Sequence, residues 1–278
     1  MTRVITEEII RNYEVYLLKE EKSQTTIEKY LRDIRHFDRF LSGREVTKEV
    51  VIEYKKMLLG NGYAVSSANS MLAALNGFLQ FQGWQDCRVK HIKKQRQTYC
   101  TEENELTKAE YLRLLNAAKN QEWMYLILQT ICSTGIRISE LKYFTVEGVL
   151  QGEIVVNLKN KSRIILVPAK LKRELLKFAK KEKICKGAIF VTRSGKPYDR
   201  SYIWSRMKRL SAAANVKQGK IFPHNLRKLF ARSFYSLERD IAKLADILGH
   251  SSIETTRIYI MTTGAEHRRK LDLLGLVI

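Results

Sequence analysis

The nine residues RVKHIKKQR, 88–96, split this sequence into two stretches of different character. Five of the nine are Lys or Arg and no sustained apolar period runs through them, so neither a helix nor a strand is expected to bury a face there. Residues 1–87 carry 12 Lys/Arg and 12 Asp/Glu, which cancel, whereas residues 106–278 carry 33 against 14. The sequence therefore predicts a first domain over 1–87, a basic linker over 88–105 and a second domain over 106–278.

The first stretch reads as helices. TTIEKYLRDIRHFDRFL places Ile27, Leu31, Ile34, Phe37 and Leu41 on one face at helical spacing, with Thr25 and Glu28 as a capping box at its start. TEEIIRNYEVYLLKE before it, and VTKEVVIEYKKMLLGNG and AVSSANSMLAALNGFLQFQGW after it, bring the count to four amphipathic helices with short joints, a compact bundle. The second stretch is mixed. LTKAEYLRLLNAAK reads as an opening helix, and MYLILQTICSTGIRISELKYF as a buried helix, a turn at Gly135 and a further helix. In GEIVVNLKNKSRIILVP, Ile154, Val156 and Leu158 alternate with polar neighbours, which predicts a β-hairpin with a lysine-bearing turn, and AIFVT predicts another short strand. The fold class is mainly α with a small antiparallel β-sheet.

Several function classes drop out. No run of about 18 apolar residues predicts a membrane span, and the amphipathic, acidic N-terminus is unlike a signal peptide. Cysteines at 87, 100, 132 and 185 form no CxxC pair, and five histidines show no metal-binding spacing, so neither zinc nor a disulfide framework is expected; a reducing cytoplasm is the default. The net charge of +21 points to a polyanion, most commonly nucleic acid, against the alternative of a basic surface kept for solubility. The linker residues Arg88, Lys90, Lys93, Lys94 and Arg96, with Lys161 and Arg163 of the hairpin, are the DNA-binding candidates.

Three short segments carry the chemistry. In TGIRISEL, Arg137 follows a glycine turn and Glu140 stands three residues later; a structural ion pair between them is one reading. In FPHNLRKLF, His224 and Arg227 share a helix face. In LADILGHSSIETTRIYI, Asp240 upstream caps one helix, Gly249 ends it, Ser251 and Glu254 make a capping box for the next, and Tyr259 falls about two turns into it. Each is weak alone, and Tyr259 would pass for a packing residue. Together they suit attack on a phosphodiester: two guanidiniums and a histidine for the charge on the non-bridging oxygens, a lysine to protonate the leaving oxygen and a tyrosine as nucleophile.

The ordered set resembles the tyrosine site-specific recombinases, the phage-integrase and Xer-type family, over nearly the whole chain. TGIRISEL resembles the first arginine box, HNLRKLF the HxxR box, and LGHSSIETTRIY the closing box with its nucleophile nine residues after the histidine. The resemblance implies an N-terminal four-helix core-binding, SAM-like domain and a mixed α/β catalytic domain of the DNA breaking–rejoining type. It implies that Arg137 and Arg227 clamp the scissile phosphate, His224 supports proton transfer, His250 donates to a phosphate oxygen, Tyr259 forms a 3′-phosphotyrosyl bond, Glu140 braces the site and Lys159 is the general acid. The turn KNKSR departs from the family's usual form, so Lys161 competes with Lys159. Lys228 stands where the family often has a second histidine. No metal, ATP or other cofactor is implied. The implied partners are double-stranded DNA with specific core sites and further copies of the chain, a tetramer exchanging strands through a Holliday junction, with accessory bending or excision factors compatible with that scheme. A type IB topoisomerase-like nicking and closing activity and a catalytically silent DNA binder are the rival functions. The C-terminal leucines Leu271, Leu273, Leu274 and Leu276, with Val277, are expected to pack either on their own domain or on a neighbouring protomer.

Overall fold

The computed structural model describes residues 3–93, 105–158, 161–262 and 264–276. They fall into two compact units, Met1–Arg96 and Gln97–Ile278.

The first unit is built from α1 (Glu7–Lys19), α2 (Gln24–Leu41), α3 (Lys48–Gly60) and α4 (Val65–Phe81). Thr6 and Thr47 cap α1 and α3 by accepting the amide hydrogens of Ile9 and Val50, each at 3.3 Å. The periodic face of α2 is buried as its spacing predicts, and Tyr13, Phe37, Tyr54 and Phe78 fill the centre of the bundle. The Thr25–Glu28 capping box does not form. The helix begins two residues earlier, behind Ser23, whose hydroxyl is engaged with that of Thr26 at 2.8 Å, so Thr25 already lies inside the first turn.

Residues 88–92, read from the sequence as the start of the linker, pack on this unit. Asn76 accepts from the Val89 amide at 3.0 Å and donates to its carbonyl at 2.8 Å. Two turns earlier on α4, Asn69 does the same for Ile92, at 2.7 and 2.9 Å. Lys55 adds a bond to the Lys90 carbonyl at 2.7 Å. Val89 is thereby buried and Ile92 packs on the core, while Arg88, Lys90 and Lys93 face solvent. The charge density of the segment concealed this, because its pinning groups are asparagines on a distant helix. Lys94 and Arg96 lie outside the described residues.

The second unit opens with α5 (Lys108–Ala117), whose Thr107–Glu110 capping box is complete. Then α6 (Glu122–Thr134) runs through the core, with Met124, Leu126, Ile127, Leu128 and Ile131 buried, and ends at Gly135 in the left-handed conformation, φ +64°. A Cβ there would overlap the Phe230 ring, so both the turn and the packing require glycine. A 3-10 segment, Ile138–Tyr143, leads to α7 (Val146–Gln151) and the antiparallel hairpin of β1 (Glu153–Leu158) and β2 (Lys161–Leu166), in a register pairing Leu158 with Lys161 and Glu153 with Leu166. Ile154 and Val156 face the core, as their alternation predicts, joined by Ile165 of β2, while the apolar Val155, Ile164 and Leu166 face out.

After α8 (Ala169–Lys181), the strand expected at AIFVT does not form a ladder. Ala188 and Val191 make isolated bridges to Thr145 and Pro197. The adjacent residues Ile189 and Phe190 are both buried, which a two-faced strand cannot do. The chain continues as α9 (Arg200–Arg209), α10 (Ser211–Ala214), α11 (Pro223–Glu238), α12 (Ile241–Leu248), α13 (Ile253–Tyr259) and α14 (Gly264–Asp272). Leu271, Leu273, Leu274 and Leu276 are exposed, so packing on their own domain does not occur; Val277 lies outside the described residues. Among the described residues no helix is long and apolar enough to cross a membrane, and no group of three or more His, Cys, Asp or Glu is placed to hold a metal.

The asparagine strap gives a direct expectation. Asn76→Ala leaves the Val89 amide and carbonyl unpaired at a half-buried site, and should destabilise the first unit by about 1–3 kcal/mol. A lowered denaturant midpoint in the full chain checks this.

Candidate active site

The chemistry-bearing residues of the second unit converge from α6, the 3-10 segment, β2, α11, α12 and α13. Arg227, on the second turn of α11, is 1% exposed, the largest fully buried side chain among the described residues. Its Nη1 donates to the Gly135 carbonyl at 2.5 Å, and its Nη2 to the Leu248 carbonyl at 2.7 Å. These carbonyls belong to the C-terminal ends of α6 and α12, where orphaned acceptors and the negative ends of two helix dipoles suit a cation. Burial first, then Arg137, lowers the Arg227 pKa to about 10, which leaves it charged at neutral pH. Its Nε hydrogen is buried and has no partner.

Arg137 leaves the Gly135 turn as the cap of the 3-10 segment. Glu140, fully buried, accepts from its backbone amide at 2.6 Å and from its Nη1 at 3.1 Å. The expected ion pair therefore exists, and Arg137 also reaches the Gly249 carbonyl through Nη2 at 3.2 Å. Arg163 behaves differently from its reading as a DNA-binding candidate. Its guanidinium turns inward and donates to Glu140 at 2.6 Å, leaving the side chain 13% exposed.

His250 occupies the joint between α12 and α13. Asp240 and Gly249 cap α12 as expected, whereas α13 is capped by Ser252 and not Ser251: Ser252 Oγ accepts from the Glu254 amide at 3.2 Å. His250 Nε2 lies 2.9 Å from Arg227 Nη2. A guanidinium nitrogen can only donate, so Nε2 accepts, and the ring proton resides on Nδ1, directed to Thr256 Oγ1 at 2.9 Å. Burial, followed by Arg227, Arg137 and Arg163, pushes the His250 pKa down to about 4. Thr256, fully buried, sets this tautomer; no sequence signal marked it among ordinary helix residues.

Tyr259 closes the group at the end of α13. It is 8% exposed and stands edge-on to both imidazoles, with ring centroids 4.9 Å from His224 and 4.9 Å from His250. Its hydroxyl is 3.5 Å from His224 Nδ1. Burial and the charges of Lys228 and Arg227 hold the His224 pKa below its ordinary value, so this ring is a free base at neutral pH. Arg137, Arg227 and His224 also line an open cavity of about 700 Å³, shared with Arg200, Ser201 and Trp204 at the start of α9, residues the sequence reading missed. Lys228 turns away to Glu105 at 2.8 Å. Lys159 lies outside the described residues, and Lys161 begins β2 beside it.

Comparison with known proteins places this geometry. Residues 104–266 match the phage integrase family, and residues 10–86 match the phage integrase N-terminal SAM-like domain. The chain is 29% identical to tyrosine recombinase XerA of Thermococcus kodakarensis over 95% of its own length and 93% of that protein. It is 28% identical to tyrosine recombinase XerD of Halalkalibacterium halodurans, over 88% and 90%. Among solved structures, a lambda integrase (75–356) dimer bound to a COC′ core site shares the fold, with a TM-score of 0.77 at 19% identity, covering 95% of this chain and 97% of that one.

The low His250 pKa makes stability depend on pH. Its folded value, about 4, lies below the ordinary 6.5. Protonation therefore favours the unfolded chain, and the contribution is intact above pH 6.5 and lost as the pH falls toward 4. His250→Gln should flatten the pH dependence of unfolding in that window, and the wild-type imidazole should titrate near pH 4 by NMR.

Proposed function

The chain belongs to the phage integrase family of tyrosine recombinases, enzymes that break and rejoin DNA, and we propose that it is a site-specific recombinase whose nucleophile is Tyr259. The observation that carries this reading is the convergence of one tyrosine, two histidines and two arginines from one chain, of which Arg137, His224 and Arg227 line one cavity.

The proposed reaction follows from the hydrogen-bond inventory. The Tyr259 oxygen attacks the scissile phosphorus, a P–O bond to the tyrosine forms and the P–O5′ bond breaks. His224, neutral and 3.5 Å away, receives the phenolic proton. Arg137 and Arg227 bind the non-bridging oxygens; the unpaired Nε hydrogen of Arg227 is a donor awaiting an acceptor. Burial and then the guanidinium charges keep His250 neutral in the free protein; a phosphate in this position offsets those charges and raises the His250 pKa, which favours His250 as a donor to an oxygen. Lys159, with Lys161 as the competing candidate, protonates the leaving 5′ oxygen. The phosphotyrosyl ester conserves the energy of the broken bond, so resealing needs neither ATP nor a metal. Arg88, Lys90 and Lys93, held outward by the asparagine strap, are proposed to contact the phosphate backbone.

Partners follow from the fold it shares with lambda integrase, one of whose structures is a tetramer bound to a Holliday junction. We propose that four copies act on two core sites, as in integration, excision, inversion or dimer resolution, and that the exposed leucines of the α14 end dock on a neighbouring protomer. A cytoplasmic location fits this work and the free thiols at Cys87, Cys132 and Cys185.

The test lets the protein select its own target. Protein is mixed with sheared genomic DNA, denatured with SDS, and the covalently held fragments are sequenced. Adducts at one or a few loci are expected, none from Tyr259→Phe, and roughly 10²–10³-fold fewer from Arg227→Ala, the loss typical of one preorganised donor. Adducts scattered over all sequences would favour a topoisomerase-like activity instead. Removing residues 265–278 should leave cleavage of isolated sites intact and reduce paired strand exchange; full exchange by the truncated protein would sink the docking of α14.

A further inference from the structure

Arg163 is bonded to the Glu140 of the site, and the proposed reaction does not use it. It rises from β2, where it pairs with Val156 of β1. Its Nη2 donates to Glu140 Oε2 at 2.6 Å, and its Nη1 donates to the carbonyl of Ile247 in the last turn of α12. Gly249 lies flat on its aliphatic stem: a Cβ at that position would come within 2.6 Å of Arg163 Cδ. One side chain therefore connects the hairpin, the buried carboxylate and the turn that delivers His250.

Glu140 makes the connection consequential. It is fully buried and divides its oxygens between Arg137 and Arg163: Oε1 receives the Arg137 guanidinium, and Oε2 receives the Arg137 amide and the Arg163 guanidinium. A carboxylate shared in this way balances Arg137 instead of capturing it. Without Arg163, the full charge of Glu140 falls on Arg137 and draws its guanidinium away from the cavity it lines. The Ile247–His250 turn also loses its anchor to the hairpin. Arg163 is not among the residues lining the cavity, and both its Nη nitrogens are engaged, by Glu140 and by the Ile247 carbonyl, which directs it away from a phosphate bound there.

We infer that Arg163 is a positioning residue for DNA cleavage: by bridging Glu140 and the Ile247 carbonyl it fixes the Arg137 guanidinium and the His250 imidazole without touching DNA. This rests on the recombinase reading. The geometry demands a planar fork that serves two acceptors on different elements, which a lysine ammonium at the end of a flexible stem does not supply.

The test uses the full chain, the variant Arg163→Lys, and a nicked duplex carrying a locus recovered from the wild-type adducts. At saturating protein the single-turnover cleavage rate should fall 10- to 100-fold, while the concentration for half-saturation stays within about 3-fold, since charge is retained and no DNA contact is lost. In the free protein, ¹⁵N spectra should show His250 of the wild type with its proton on Nδ1, and loss of that single tautomer in the variant. A saturated rate within about 2-fold of wild type, or a defect confined to DNA affinity, overturns the assignment. If the wild type itself forms no adduct, the recombinase reading fails separately, and the imidazole spectra then decide: an unchanged His250 in Arg163→Lys overturns the positioning role.

Discussion

The structure of the catalytic half depends on one buried cation. Arg227 sits in the core with almost no exposed surface, and an isolated charge there would be untenable. The chain solves this by ending two helices at the same place. The Gly135 and Leu248 carbonyls, one from each end, both accept from the guanidinium. That requirement explains why α6 stops in a left-handed glycine packed on Phe230, and why α12 is only eight residues long. It also explains why His250 begins the next joint within reach of Nη2. Removing Arg227 would leave two helix ends without their cation and the imidazole without its donor.

The remaining groups follow from the same charge. Three guanidiniums, those of Arg137, Arg163 and Arg227, crowd a region in which Glu140 supplies the carboxylate; after burial, their charges lower the pKa of Arg227 and of His250. Mutual repulsion at such distances is tolerable because every cation is held by fixed acceptors, so little reorganisation remains when an anion arrives. Burial first, and then the neighbouring cations, keep both histidines neutral, which leaves His224 able to accept a proton beside the Tyr259 hydroxyl.

Sequence periodicity was enough to find α2 and the hairpin, because their apolar spacings of 3.6 and 2 report burial directly. It failed at AIFVT, where consecutive buried residues imitate a strand but serve an irregular segment between α8 and α9. It also failed at RVKHIKKQR, where Val89 and Ile92 dock through asparagines that a local pattern cannot see. The site residues were visible as three separated motifs, since their order and spacing are features of sequence. The acceptors that hold them were not: the carbonyls of Gly135, Leu248 and Ile247 are backbone atoms, carried by every residue alike. Arg163 and Lys161 looked equivalent as basic hairpin residues, because a sequence does not state which face of β2 meets a buried carboxylate.

On the proposed function, the excess of cations over carboxylates would give the site its selectivity for phosphate. A neutral ligand in the cavity would leave the Arg227 Nε hydrogen unpaired or weakly bonded and the guanidinium repulsion unrelieved. A phosphodiester removes both penalties, and its advantage grows as negative charge accumulates on the non-bridging oxygens during attack. The transition state is thus the species that best satisfies the donors already fixed in the free protein. On the proposed mechanism Tyr259, packed edge-on between two neutral imidazoles, stands where that charge would develop, so one set of contacts would both position the nucleophile and neutralise the phosphate.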